Sequence, residues 1–232
     1  MMEAILREGL EALSLPTEGI PALLRYWELL AEKNKVMNLT AITDPAEAAR
    51  LHFLDSAALL ALADLRGKTV VDVGTGAGFP GLPLKILEPS IQLTLLDAQR
   101  KRVDFLREVC EDLGLEDVEC VHGRAEEFAQ QRRESFDFAV SRAVAALPVL
   151  TELCLPLVKP GGQFLAMKSV DSNEELNAAG RAVNLLGGRL EKPADYSISG
   201  TNVPRRLVIM TKITETQKKY PRTFAKIKKN PL

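Results

Sequence analysis

The segment Val70-Val71-Asp72-Val73-Gly74-Thr75-Gly76-Ala77-Gly78-Phe79-Pro80-Gly81 constrains this chain more than any other. A β-branched run passes directly into a glycine-rich turn that opens a helix. Glycines there let the backbone turn tightly and leave main-chain N–H groups bare to a ligand at a positive helix end. Such a unit belongs to a parallel sheet covered by helices on both faces, and the rest of the chain keeps the alternation of short β-rich runs with helical stretches. Strands are predicted over 69–73, 92–96, 118–122, 136–140 and 163–167. Between the second and third, Val103, Leu106, Cys110 and Leu113 form the core face of a helix that stops at Gly114. Lys159-Pro160-Gly161-Gly162 reads as a helix-ending turn that feeds the fifth strand. Residues 189–198 and 206–212 read as two strands joined by a loop at Gly200, so the mostly parallel sheet is expected to finish in an antiparallel hairpin.

The first third reads as helices. Leu6, Leu10 and Leu13 recur at helical spacing, and after a break at Pro16 so do Leu23, Trp27 and Leu30, with Arg25, Glu28 and Glu32 turned outward. A third helix carries its own start signal, with Asp44 as cap, Pro45 in the first helical position and Glu47 completing a capping box. Its expected apolar face is Leu51, Leu54, Ala58 and Leu62, with His52 and Asp55 sharing a different face. The expected organisation is an N-terminal helical extension over 1–66, a Rossmann-like domain over 67–212 and a basic tail over 213–232.

A length of 232 residues suits one main domain plus an appendage, and 46% hydrophobic with 26% charged residues excludes disorder across most of the chain. The longest apolar run, 57–63, is too short to span a membrane, and Glu3, Arg7 and Glu8 interrupt any signal-peptide pattern, so the expected compartment is the cytoplasm. Cys110, Cys120 and Cys154 form no Cys-x-x-Cys pair and are read as reduced packing residues, with no metal site. The net charge of −1 conceals an asymmetry. Residues 217–232 hold six basic side chains and no acidic one, and removing those six positive charges from the total leaves −7 on residues 1–216. A cationic tail attracts polyanions, nucleic acid above all. With few apolar residues and with Pro221 and Pro231 as breakers, the tail is expected to be mobile without RNA, and its removal after Thr216 to leave the affinity for a cofactor unchanged.

The loop spacing narrows the ligand. A dinucleotide fingerprint Gly-x-Gly-x-x-Gly needs glycine at position 79, where this chain has Phe79, and the third glycine comes earlier, at Gly78. Pyrophosphate binding is therefore disfavoured. Asp97 ends the second strand 23 residues after Gly74, where a carboxylate can accept both hydroxyls of a ribose. The two features together point to a nucleoside-containing cofactor.

The pattern resembles the class I methyltransferases that use S-adenosylmethionine. More closely, Asn38-Leu39-Thr40, His52-Phe53-Leu54-Asp55-Ser56, the loop over 72–81, Leu95-Leu96-Asp97, Lys101-Arg102-Val103-x-Phe105-Leu106, Arg124-Ala125-Glu126-Glu127, Ser141-Arg142-Ala143 and Ala166-Met167-Lys168 together resemble the RsmG (GidB) family, over roughly residues 20–212. That family methylates N7 of a guanine in bacterial 16S ribosomal RNA. The resemblance implies S-adenosylmethionine as cofactor and 16S rRNA or the small ribosomal subunit as partner. It places Gly74 and Phe79 against the donor, Ala125 and Glu126 beside its adenine, and Arg142 in the same site, and the loop and ribose arguments add Gly76, Gly78 and Asp97. His52 and Asp55 are candidates to orient RNA or steady the mouth of the site, with an ordinary surface pair as the alternative. Arg142 and Lys168, at strand ends on the ligand-binding edge, are candidates to hold the donor carboxylate or an RNA phosphate.

The chemistry is narrowed by omission. After the fourth strand stands Ser141-Arg142-Ala143-Val144, not the Asp/Asn-Pro-Pro-aromatic motif of exocyclic amino methylation, and no cysteine for a covalent route to pyrimidine carbon. The rivals are a methyltransferase of the same fold acting on a small molecule or protein, a binding module without catalysis, and a nicotinamide-dependent oxidoreductase. Phe79 and the lack of any Tyr-x-x-x-Lys after Tyr26, Tyr196 or Tyr220 disfavour the last, and the intact loop with Asp97 argues against lost donor binding. Calorimetry separates the classes: heat is expected with S-adenosylmethionine or its demethylated product and none with NADH, and the reverse result would sink the assignment.

Overall fold

The computed structural model describes residues 1–142 and 144–232, so that Ala143 of the Ser141–Ala143 motif lies outside the described residues. Five strands, β1 (Thr69–Val73), β2 (Gln92–Asp97), β3 (Val118–His122), β4 (Phe136–Arg142) and β5 (Val158–Ser169), run parallel in the order β3-β2-β1-β4-β5. β1 sits in the middle, paired from Thr69↔Gln92 to Val73↔Leu96 on one side and with β4 on the other. Val70 to Val73 are all buried, since both faces of the strand are covered. The helices are α5 (Gly81–Leu87), α6 (Arg100–Asp112), α7 (Ala125–Gln131), α8 (Leu147–Cys154) and α9 (Asn173–Leu185).

The sheet ends in antiparallel strands, with two corrections to the expected hairpin. Residues 189–198 are not one strand: β6 (Gly188–Leu190) and β7 (Ala194–Ser197) are separate, split beside Pro193, which has no N–H to give to a ladder. Both pair with β8 (Pro204–Lys212), which lies beside β5 from Gln163↔Thr211 to Ser169↔Arg205. Nor does Lys159–Gly162 end a helix. α8 stops at Cys154, a 3-10 turn covers Leu155–Leu157, and the Pro-Gly-Gly run forms a bulge inside β5, between Phe136↔Val158 and Phe138↔Gln163. Gly162 is required there because a Cβ would lie 2.3 Å from the Asp137 carbonyl oxygen.

The N-terminal helices α1 (Met2–Ala12) and α2 (Ile20–Met37) pack Leu6, Leu10, Leu23, Tyr26 and Leu30 into the same apolar cluster as Val70, Leu82, Leu95 and Leu106. Next comes α3 (Pro45–Ala48), with the Asp44 carboxylate accepting from Glu47 N–H at 2.8 Å as its capping signal predicts. It does not run straight into α4 (Asp55–Leu62), because a π-helical segment occupies Ala49–Leu54. The wider turn shifts the phase of everything beyond it. Phe53, Leu54, Ala57, Ala58 and Leu59 are buried, whereas Leu62, expected on the apolar face, is 37% exposed.

The tail, expected to be free of the body, is docked on it. Tyr220 and Ile227 are buried, and the last helix, α10 (Phe224–Lys229), packs on α8. The Arg133 guanidinium donates to the carbonyls of Thr216, Gln217 and Tyr220. Arg222 pairs with the fully buried Glu152 at 2.6 Å and also gives it a backbone N–H at 2.9 Å. The sequence shows the charge of Arg222 but not the distant carboxylate that holds it. Removing one member of such a pair strands a buried charge, so Arg222→Ala is expected to cost roughly 3 kcal/mol, measured by urea unfolding. A loss within experimental error would mean the tail is not held this way.

Candidate active site

The β1–α5 loop lies at the carboxyl edge of the parallel sheet. Gly74, Gly76 and Gly78 have φ of +72°, +61° and +109°, a region that side chains rarely adopt. Two carboxylates fix the loop from behind. Buried Asp72 accepts from the Thr75 hydroxyl at 2.7 Å and Gly81 N–H at 2.8 Å, and burial pushes its carboxyl up to about 6. Asp97, at the end of β2, accepts from Gly76 N–H at 3.0 Å, Gln99 N–H at 2.8 Å and, more distantly, the Arg102 guanidinium at 3.5 Å. A carboxylate has about four acceptor positions, so Asp97 keeps capacity for a further donor. From α2, the buried Tyr26 hydroxyl donates to the Ala77 carbonyl.

The three glycines differ in role. A Cβ on Gly76 would meet nothing nearer than the Gly74 carbonyl oxygen at 4.0 Å and would project into the adjoining cavity. Gly74 lines that cavity and a second one. Gly78 faces the other way, where a Cβ would strike Leu82 and the Tyr26 hydroxyl at 2.6 Å, and it lines neither. It is a packing glycine.

The larger cavity, about 480 Å³, lies between the loop and the N-terminal helices and is within the usual range for small-molecule clefts. Phe79 forms its aromatic floor, stacked on His52 with ring centroids 4.5 Å apart and on Tyr26 at 5.3 Å. The smaller, about 130 Å³, is lined by Val73, Leu96, Leu153 and Phe224 with Asp97, Ala125 and Glu126. Thus Asp97, Ala125 and Glu126 share one cavity, His52, Asp55, Phe79, Arg142 and Lys168 share the other, and Gly74 joins them.

Arg142 ends β4 and is held on several sides. Its guanidinium donates to the Asp55 carboxylate at 3.0 Å, to the carbonyls of Leu51 and His52 at 3.2 and 3.3 Å, and to His52 Nδ1 at 3.3 Å. These carbonyls belong to the π-helical segment, which presents them to the sheet edge. Asp55 is 1% exposed and so is not a surface residue, and it accepts also from the Tyr196 hydroxyl at 3.0 Å, with Arg205 at 3.5 Å. Burial and the Asp55 charge push the Tyr196 phenol above its ordinary range, so it stays a donor. Lys168, expected to meet a carboxylate or phosphate of a ligand, instead turns its ammonium to Glu175 and the Ala145 carbonyl, both at 2.7 Å. Sequence reasoning missed Thr40, Tyr196 and Arg205; nothing local separates Arg205, which reaches Asp55, from Arg206, which pairs with Asp195.

Because a guanidinium only donates, His52 Nδ1 accepts from Arg142, so Nε2 carries the ring proton and donates to Thr40 Oγ1 at 2.7 Å. Burial, with the Arg142 charge, lowers the imidazole to about 3. It is neutral at physiological pH.

The parallel sheet with an appended antiparallel strand, the glycine loop at its carboxyl edge and the acidic end of β2 define a class I methyltransferase, a class that takes its methyl group from S-adenosylmethionine. Among solved structures, a SAM-dependent methyltransferase from Aquifex aeolicus superposes with a TM-score of 0.53 at 20% identity, covering 78% of this chain and 97% of that one. A family model described as rRNA small subunit methyltransferase G (GidB) matches residues 19–197. A protein of that name from Clostridium botulinum (strain Loch Maree / Type A3) is 46% identical over 212 residues, 90% of this chain and 89% of the relative. Another, from Alkaliphilus oremlandii, is 44% identical across 100% of this chain and 99% of its own length. The chain belongs to the GidB family of rRNA small subunit methyltransferases.

A base whose folded value is lowered adds stability above its unfolded value, and that stability is lost as pH falls from about 6.5 toward 3. At pH 5 the loss attributable to His52 is on the order of 2 kcal/mol. Asp72 acts oppositely, with a cost present above about pH 6 and relieved as pH falls, so the difference between two proteins that both keep it isolates the histidine. Urea unfolding at pH 7.5 and 5 should show the wild type losing that much more than His52→Gln. Equal losses would mean His52 is not held neutral.

Proposed function

We propose that the chain transfers a methyl group from S-adenosylmethionine to N7 of a guanine in 16S ribosomal RNA, in the cytoplasm, as free RNA or within the small subunit. The observation that carries the chemistry is the lack of a usable general base in the larger cavity. Among the described residues lining it, Asp55 is the one carboxylate, and it is buried and paired with Arg142 and Arg205, with the Tyr196 hydroxyl donating to it. His52 spends both ring nitrogens on Arg142 and Thr40. Guanine N7 needs no base, because it has an in-plane lone pair and no hydrogen.

The residues fit the donor. Asp97, with Ala125 and Glu126, holds the nucleoside end in the smaller cavity. Gly74 and the open face of Gly76 let the remainder pass along the loop toward Phe79 and His52, a path that any side chain at position 76 would block. When bound, the donor supplies a methyl carbon on a positively charged sulfur. Transfer of that carbon to an N7 lone pair would leave the electron pair with sulfur and the positive charge on the purine, and would require no proton transfer from the surrounding residues. What the protein contributes is alignment and exclusion of water. Arg142, His52 and Asp55 act as positioning residues that hold the aromatic floor and the cavity roof in place.

RNA is the polyanion that this surface suits. Arg102 and Arg205 keep 34% and 28% of their side chains exposed at the cavity mouth, and Arg100 and Lys101 are exposed at the start of α6. In the tail, Lys218, Lys219, Lys226, Lys228 and Lys229 stay exposed and are available to phosphates.

Methylation of 16S RNA or small subunits, followed by mass mapping, is expected to yield 7-methylguanosine, and methyl on an exocyclic amine or ribose oxygen would overturn the chemistry. Gly76→Val is expected to abolish donor binding in calorimetry while the chain stays folded. His52→Ala is expected to lower kcat, and the pH–rate profile of the wild type to show no step belonging to His52 between pH 5.5 and 8. A step in that range that disappears in the variant would make His52 an acid or base after all.

A further inference from the structure

We infer that Phe224, from the C-terminal segment, is a wall of the pocket that takes the donor's adenine ring, so that the basic tail completes the methyl-donor site. This rests on the donor assignment made above. The smaller cavity, about 130 Å³, is well below the roughly 300–1,000 Å³ of a complete small-molecule site and suits a single ring system. Its walls are Val73, Leu96, Leu153 and Phe224, and its polar groups, Asp97 and Glu126, come from the β2 and β3 ends of the sheet. A flat apolar slot beside a ribose-binding carboxylate is what a purine requires.

Phe224 is half-buried and lines this cavity. The Arg124 guanidinium lies over the ring, 4.0 Å from its centroid, and Arg124 Nε reaches Glu126 Oε1 at 3.2 Å. The tail is thereby linked to the very turn that presents Ala125 and Glu126. Three anchors hold Phe224 in place: the Arg222–Glu152 pair before it, the buried Ile227 after it, and the Arg133 bonds to the tail carbonyls. An aromatic ring this tethered and this placed does more than cover the body, where any aliphatic residue would serve. It also reverses the expectation that the tail can be removed without cost to donor binding.

The test measures Kd by calorimetry for S-adenosylhomocysteine and for 5′-methylthioadenosine, which has the nucleoside without the amino-acid end. Phe224→Ala and Phe224→Leu are compared with Phe224→Tyr. Leu keeps apolar volume against the body and removes the flat face, so both Ala and Leu are expected to weaken the two ligands by the same factor, about tenfold, whereas Tyr binds within twofold of the wild type. In turnover assays Phe224→Leu is expected to raise the donor KM by the same factor. Wild-type affinity in Phe224→Leu, or a loss for S-adenosylhomocysteine that spares 5′-methylthioadenosine, would overturn the inference. Failure of the wild type to bind either ligand would instead overturn the donor assignment on which it rests.

Discussion

The ion pair between Asp55 and Arg142 is the contact on which the site depends. Asp55 belongs to the N-terminal helices and Arg142 to the end of β4, and their side chains are 2% and 13% exposed. Two charges so far from water are tolerated only when their remaining hydrogen-bonding capacity is met. Here it is, by Tyr196 and Arg205 on the carboxylate and by two backbone carbonyls and His52 on the guanidinium. Any other seating of the helices would strand a buried charge. The pair therefore fixes where the extension sits over the carboxyl edge, and with it the roof of the larger cavity.

From this placement the electrostatics of the cavity follow. Burial, together with the charge that holds Asp55, keeps the His52 imidazole neutral, which turns a residue usually suspected of proton transfer into a stacking partner for Phe79. The same arrangement consumes the sole carboxylate among the described lining residues. A site without a free base but with arginines at its mouth suits an anionic substrate whose nucleophile is already a lone pair. The loop is held as firmly, by Asp72 and Asp97 below and by Tyr26 from the extension. Donor and substrate sides of the site thus share one scaffold.

The parallel half of the fold was legible in the sequence because its signals are local. β1 occupies the residues expected of it, since a both-faces-covered strand and a loop of positive-φ glycines are written in consecutive residues. What escaped depended on phase or on distant partners. The π-helical segment carries no composition signal, yet it moved Leu62 out of the core and tipped two carbonyls toward Arg142. The spacing of His52 and Asp55 placed them on one face but could not show that the face is buried. Lys168 lies near the carboxyl end of β5, and only Glu175, seven residues on in an adjacent helix, reveals that its charge is engaged.

The tail shows the limit of charge arithmetic most clearly. Six basic residues in sixteen, with two prolines, match the composition of a mobile cationic arm. One of the six, Arg222, is spent on Glu152, while Tyr220, Phe224 and Ile227 turn toward the body and five lysines turn away from it. The segment is amphipathic, and a composition count averages over its two faces. Its apolar side can therefore line the smaller cavity at the same time as its cationic side stays exposed. In such an arrangement the affinity for a polyanion and the integrity of the donor site share one short stretch of chain, although they depend on different side chains within it.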